Sequence, residues 1–243
     1  MDNNNMSHEV VKRAVLLAAG RGKRLQPHTD ITPKPLLIHK GKPTLDYLLD
    51  SLLLAGIEEV VLVTHHLHEQ VEHYAALRSA NHKQQVRCVY QSHLFGTAHA
   101  LQAVIESAPD IVAAPFVLSA TDYLVPREFF GDLLQFHGSH AGECSVSMKE
   151  LDAAELASRS SIRFNDDQSI AEIVEKPAAG TAPSSTGANL TFILPPDIIP
   201  DVQNVPVSER GEQEVQHAIN AWISRGGLAF GLVQAIPPEW QPS

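Results

Sequence analysis

From residue 14 to residue 137, apolar runs of strand length alternate with segments whose apolar residues recur at helical spacing, and this alternation constrains the fold more than any other feature. "AVLLAA" (14–19), "EEVVLVT" (58–64), "VRCVYQ" (86–91) and "FVLSA" (116–120) read as strands, the first two as near-continuous apolar runs of the kind buried on both faces of a parallel sheet. A helix is expected over 43–56, where Leu45, Leu48, Leu49, Leu52 and Leu53 share a face between Pro43 and Gly56. Further helices are expected over 67–79, 97–107 and 126–137. Strands separated by single helices imply right-handed βαβ units and a mainly parallel sheet.

The remaining chain reads differently. "CSVSMKEL", "SIRFN", "SIAEIVEK" and "ANLTFIL" are strand-like with little helix between them, which suggests an antiparallel extension before a helix over 212–225 and a last strand at "GLAFGLV". The expected fold class is therefore α/β: a Rossmann-like three-layer α/β/α sandwich around a mixed, mainly parallel central sheet. "PAAGTAPSSTG" (177–187), rich in Pro, Ala, Gly and Ser, reads as the most mobile loop. Ligands of such sheets bind beyond the carboxyl ends of the strands. The loop from Gly20, Gln91 and Asp122 all follow strands directly, so one crevice can gather all three.

The loop after the first strand, "GRGKRLQPHTDITPKP" (20–35), carries Arg21, Lys23, Arg24 and Lys34 against Asp30 alone. The chain's formal net charge is −10, which gives no general attraction to nucleic acid or to an anionic membrane, so this local positive cluster reads as aimed at a small anion. Gly20 and Gly22 let the backbone turn tightly and expose N–H groups to a phosphate without a Cβ in the way. Arg24 can grip phosphate oxygens with a planar fork of donors, while Lys34 offers a mobile point charge. A dinucleotide fingerprint would need a third glycine where Leu25 stands, and the G-x-x-x-x-G-K-[ST] phosphate loop is absent.

"LAAGRGKRLQPHTDITPKPLL" resembles the G-x-G-x-R-L-x-P-x-T…P-K signature of the sugar-1-phosphate nucleotidylyltransferases, with Gly20, Gly22, Arg24, Leu25, Pro27, Thr29, Pro33 and Lys34 in place. Weaker matches run to about residue 226. The resemblance implies transfer of a nucleotidyl group from an NTP to a sugar 1-phosphate, giving an NDP-sugar and pyrophosphate, with UTP or dTTP the preferred donor. It implies catalytic roles for Arg24, on the triphosphate, and Lys34, between the reacting phosphates. Leu17, Ala19, Gly20 and Gly22, with Gln91, Gly96 and Thr97 of "YQSHLFGTAHAL", become nucleotide contacts. Asp122 becomes a ligand of Mg2+, with Mn2+ as the alternative cofactor, although Thr121 precedes it where relatives carry glycine.

Glu175 and Lys176 of "VEKP" and Asn189 of "ANLTF" inherit contacts to the sugar phosphate. Two departures fall in that half of the site: Arg159 and Ser160 replace an aromatic-glycine pair, and "ANLTF" replaces G-I-Y-x-F. They motivate an alternative in which CTP and phosphocholine, or a similar acceptor, are the substrates. His217 stands in "GEQEVQHAIN" where relatives carry a second metal-binding aspartate. A hard ion prefers oxygen, so His217 as a metal ligand favours manganese over magnesium and keeps open a third reading, a noncatalytic nucleotide-sugar-binding protein.

The expected organisation is a disordered leader over 1–12 and one nucleotidyltransferase domain over 13–243, with no C-terminal left-handed β-helix. The expected partners are an NTP and a phosphorylated small-molecule acceptor, with no nucleic acid and no membrane, and a homo-oligomer is compatible with the chain. No apolar segment in "MDNNNMSHEVVKR" suits a signal peptide, which points to the cytoplasm. Cys88 and Cys144 read as buried thiols, and the histidines of "THHLHEQVEH" (64–73) as a solvated helix face pairing His68 with Glu72.

Overall fold

The computed structural model describes residues 10–140, 143–156 and 158–236. The strands are β1 (Arg13–Leu17), β2 (Ile38–His39), β3 (Lys42–Pro43), β4 (Glu59–Thr64), β5 (Gln85–Tyr90), β6 (Phe116–Ala120), β7 (Cys144–Glu150), β8 (Ser161–Phe164), β9 (Ile170–Val174), β10 (Thr186–Leu194) and β11 (Ala229–Val233). The helices are α1 (His28–Ile31), α2 (Thr44–Leu54), α3 (His68–Asn81), α4 (Thr97–Ser107), α5 (Phe129–Gly138), α6 (Ala153–Leu156), α7 (Ile199–Gln203) and α8 (Val215–Ser224).

Seven strands form one sheet in the order β11-β7-β10-β6-β1-β4-β5. β6, β1, β4 and β5 pair in parallel, as the βαβ alternation predicts. β10 runs antiparallel to both β6 and β7, and β11 pairs in parallel with β7, so β10 alone is reversed. The antiparallel extension expected from sequence thus reduces to this one strand. β8 and β9 lie outside the main sheet as a two-stranded antiparallel pair, pinned to α8 where the Asn220 side chain accepts from the Ile173 N–H and donates to the Ile173 carbonyl.

The strand pleat divides the core into two layers. Val15, Val61, Val63, Phe116 and Leu118 pack on the face covered by α4 and α8, with Leu101, Val104, Ile219 and Trp222. Ala14, Leu16, Val60, Leu62 and Val117 pack on the opposite face with Leu45, Leu48, Leu49 and Leu52 of α2 and Phe130 and Leu133 of α5. A sheet covered on both faces requires the near-continuous apolar strands that the sequence carries. Cys144 is buried and Cys88 half-buried, and burial pushes the Cys88 thiol up to about 12.

Two residues expected in the leader, Val11 and Lys12, take part in the fold. Val11 is in the core, and the Lys12 carbonyl accepts from the N–H groups of Glu58 and Glu59, so both residues belong to the folded unit; residues 1–9 lie outside those described. No described helix is long and apolar enough to cross a membrane.

Candidate active site

β1 ends at Leu17 and its backbone continues alongside β4, the Ala18 N–H donating to the Val63 carbonyl at 2.9 Å. The glycine loop follows. Gly22 takes the left-handed conformation, φ 62°, where a Cβ would stand 2.8 Å from the Thr29 methyl group. The Thr29 hydroxyl donates to the Gly22 carbonyl at 3.0 Å, and the Thr29 carbonyl lies 2.8 Å from His66 Nε2. The loop is therefore a pinned turn, with Arg24 on the short 3-10 turn Lys23–Leu25. Lys34 is fixed from behind by the Thr44 hydroxyl at the start of α2, which reaches the carbonyls of Lys34 and Pro35.

Asp122 leaves the end of β6, the neighbour of β1. Thr121, in the place of glycine, donates its hydroxyl to the Leu17 carbonyl at 3.0 Å and so ties the two strand ends together. That bond is the physical account of this departure. Lys34 Nζ stands 3.6 Å from an Asp122 carboxylate oxygen.

Gln91 directly follows β5, is buried, and directs its side-chain nitrogen to His99 Nδ1 at 2.8 Å and to the Gly96 carbonyl at 3.4 Å. Gly96 has φ 113°, and a Cβ there would meet the Gln213 carbonyl oxygen at 2.4 Å. This close approach exists because Gln213 closes the start of α4: its N–H donates to the Phe95 carbonyl and its carbonyl accepts from the Ala98 N–H. Thr97 Oγ1 accepts from the Val215 N–H at 2.9 Å. Residues 212–214, expected to be helical, stand outside the helix, Glu214 being extended, and α8 begins at Val215.

These elements enclose a cavity of about 490 Å3 beyond the carboxyl ends of β1, β5 and β6. Its lining includes Leu17, Ala19, Gly20, Gly22, Arg24, Lys34, Gln91, Gly96, Thr97 and Asp122, all named from sequence. Lys23, of the basic cluster read from sequence, also lines it, as do Glu212 and Leu190, which were not singled out. Glu175, Lys176, Asn189 and His217 do not line it.

Asn189 is buried and donates its side-chain amide to Ser147 at 3.0 Å, in a stretch of β10 whose register shifts against β7. Glu175 accepts from the Gln216 amide at 3.2 Å and lies near Glu214, which forms an ion pair with Arg210 at 2.5 Å. Burial, and after it the Glu214 charge, push the Glu175 carboxyl above its ordinary range, with Lys176 and Arg210 opposing. His217 is half-buried, its Nδ1 is enclosed without a hydrogen-bond partner, and among the described residues no group of three or more His, Cys, Asp or Glu side chains could hold a metal ion.

Arg159, one basis of the phosphocholine alternative, and nearby Arg163 are engaged elsewhere. Arg163 pairs with Glu172 across the β8–β9 ladder and Arg159 with Glu155, both at exposed positions. Ser160 exchanges hydrogen bonds with the backbone of Ala188, so the two altered segments brace one another. His68 pairs with Glu72 at 3.0 Å as its spacing predicts, whereas His65 and His66 lie before α3 and hold the Gln91 and Thr29 carbonyls.

A pinned glycine loop, a lysine and an aspartate gathered at adjacent strand ends define an α/β protein with a cleft at the carboxyl edge of its sheet that carries charged groups on a largely apolar lining. The fold is also that of the solved UDP-glucose pyrophosphorylase complexed with UDP-glucose, with a TM-score of 0.81 and 22% identity over 93% of this chain and 92% of that one. Residues 13–236 match the family model described as Nucleotidyl transferase, and the chain belongs to that family. Its relatives include UTP–glucose-1-phosphate uridylyltransferase AglF of Haloferax volcanii, 29% identical over 88% of this chain and 84% of that protein. UTP–glucose-1-phosphate uridylyltransferase 1 of Staphylococcus saprophyticus is 25% identical over 86% and 80%. A probable mannose-1-phosphate guanylyltransferase 1 of Oryza sativa subsp. japonica is 26% identical over 81% of this chain, which spans about half of that protein (53%).

Proposed function

We propose that the protein transfers a nucleotidyl group from an NTP to a sugar 1-phosphate, forming an NDP-sugar and releasing pyrophosphate, with a uridine or thymidine triphosphate as donor. The observation that carries this reading is the convergence of Arg24, Lys34, Asp122 and the Gln91–Gly96 pair on one cavity of about 490 Å3, a size suited to a nucleotide. Family membership and the names of the relatives support the same reaction.

In this reading the base lies against Gln91 and Gly96, and the triphosphate follows the glycine loop to Arg24. A phosphate oxygen of the acceptor attacks the α-phosphorus in line, the bond from the α-phosphorus to the bridging oxygen breaks, and pyrophosphate leaves. Such a transfer depends on positioning and on neutralising charge at the equatorial oxygens, more than on covalent help from the protein. Lys34 supplies a mobile cation between the two reacting phosphates, and Arg24 steadies the departing pyrophosphate. Glu175 and Lys176, which stand outside the lining of the cavity, are assigned to the sugar end by the resemblance of their motif.

Asp122 fits magnesium, which takes one or two carboxylates, retains waters and completes its shell with substrate phosphates. The exposed Asp122 carboxylate at the cavity edge suits that arrangement. The ion, when bound, supplies charge neutralisation on the triphosphate.

Pyrophosphate release tests the proposal, with each NTP in turn and with glucose 1-phosphate, mannose 1-phosphate or phosphocholine as acceptor, in magnesium and in manganese. Release that needs both an NTP and a sugar 1-phosphate supports it. Release without an acceptor, or with phosphocholine alone, overturns it.

A further inference from the structure

Gln91 is fixed on every side but one. It is 2% exposed, its N–H donates to the Thr64 carbonyl at 2.8 Å, and its carbonyl lies 2.7 Å from His65 Nδ1. At the side chain, Nε2 faces two groups, the Gly96 carbonyl and His99 Nδ1. A carbonyl can only accept, so the amide atom that faces Gly96 is the nitrogen. The same nitrogen is 2.8 Å from His99 Nδ1, which makes that ring nitrogen an acceptor and places the ring's proton on Nε2. Both amide hydrogens are then used, and among the described residues no donor reaches Oε1.

The two bonds are unequal. At 3.4 Å the contact to Gly96 is at the limit of a hydrogen bond, whereas 2.8 Å to His99 is a good one. The histidine ring is itself placed: it sits edge-on to Phe95 at 5.2 Å, in the first turn of α4, whose start is fixed by Gln213.

We infer that His99 is a positioning residue for nucleobase selection: it holds the Gln91 amide with its oxygen toward the cavity, so that the site accepts bases presenting a ring N–H and disfavours bases with a bare ring nitrogen. Uracil, thymine and guanine carry such a ring N–H; cytosine and adenine do not. This rests on the proposed nucleotide site at Gln91, and it deepens that reading by naming the group that sets the amide's polarity. Without an acceptor at position 99 the amide turns over at little cost, and an amide offering its NH2 group accommodates a bare ring nitrogen.

The test is equilibrium binding, by competition against a fluorescent nucleotide, of UTP against CTP and of GTP against ATP. It compares wild type, His99→Leu and His99→Asn, with melting temperatures confirming that both variants fold. The preference is read within whichever pair binds more tightly. Wild type is expected to favour the ring N–H base by roughly tenfold or more. His99→Leu is expected to bring the ratio close to one, while His99→Asn, whose side-chain oxygen replaces Nδ1 as acceptor, retains most of it. An unchanged ratio in folded His99→Leu overturns the inference. So does an equal loss in both folded variants, or a wild type that prefers CTP or ATP. Because binding is the readout, a wild type that selects its base but releases no pyrophosphate fails the proposed reaction and leaves the role of His99 supported.

Discussion

Lys34 and Asp122, carried by loops that leave the ends of the adjacent strands β1 and β6, form an ion pair with 3.6 Å between Nζ and the carboxylate oxygen. The lysine side chain is 19% exposed and the aspartate 44%. A partly solvated pair at this separation is worth under about 1 kcal/mol, so an arriving phosphate separates it at little cost. The two charges the proposed reaction needs are thus kept together and balanced before substrate enters, and each has its own expected phenotype.

Lys34→Ala is expected to lower turnover by two or more orders of magnitude, on the order of 3 kcal/mol of transition-state stabilisation. The fold should persist, because Thr44 holds this segment through the Lys34 and Pro35 carbonyls. Steady-state kinetics with a melting curve check both halves. Unchanged turnover would remove Lys34 from its assigned role.

Asp122→Asn should separate binding from catalysis. Removing the carboxylate takes away the candidate metal ligand and releases Lys34, so metal-supported turnover should fall about a hundredfold while NTP binding in the presence of a chelator holds or tightens. Calorimetric titration of the nucleotide, with and without magnesium, distinguishes this from general damage, which would weaken both.

Gly96→Ala tests the joint between the loop that precedes α4 and residues 212–214. The added Cβ meets the Gln213 carbonyl oxygen at 2.4 Å on a backbone with φ 113°, so loop and segment must part. Strain of this kind costs roughly 1–3 kcal/mol before any loss of packing. A fall in melting temperature of several degrees, with a rise in KM for the nucleotide, is expected; a variant as stable as wild type would contradict the tight approach.

Stability should also report on His137, which is buried and lies 2.9 Å from Ser145 Oγ. Burial, and next the nearby His140 charge, hold its ring down at about 4 from an ordinary 6.5. The unfolded chain therefore binds a proton that the folded chain refuses between those values, so stability is full above about pH 6.5 and declines as pH falls toward 4. Denaturant unfolding across that window should show a shallower decline for His137→Gln than for wild type. Equal slopes would contradict the assignment.

The parallel half of the sheet was legible because its strands obey a simple rule: Ala14 to Leu17 and Val60 to Val63 are apolar on both faces, which only a covered parallel strand tolerates. The gathering of Gly22, Arg24 and Lys34 on one cavity was legible for a related reason, since they sit within one loop. Long-range pairings were not. Nothing in β8 and β9 announces that Asn220, 47 residues beyond Ile173, draws them away from the main sheet. Nor does composition reveal that the 177–187 loop, expected to be mobile, is stitched to β8 through Ser184, whose hydroxyl donates to the Ile162 carbonyl at 2.6 Å. The sugar half suffers from the same limit, because Asn189 reads as a polar strand residue whether it faces a ligand or, as here, Ser147.

The central claim is nucleotidyl transfer to a sugar 1-phosphate, and product mass tests it most directly. With acceptor labelled in its phosphate by 18O, attack at the α-phosphorus carries all four labelled oxygens into the NDP-sugar and leaves the pyrophosphate unlabelled. Labelled NDP-sugar with unlabelled pyrophosphate is the predicted result. Release of NMP with the labelled acceptor recovered intact would contradict the account, since the protein would then hydrolyse nucleotides and not join them to sugars.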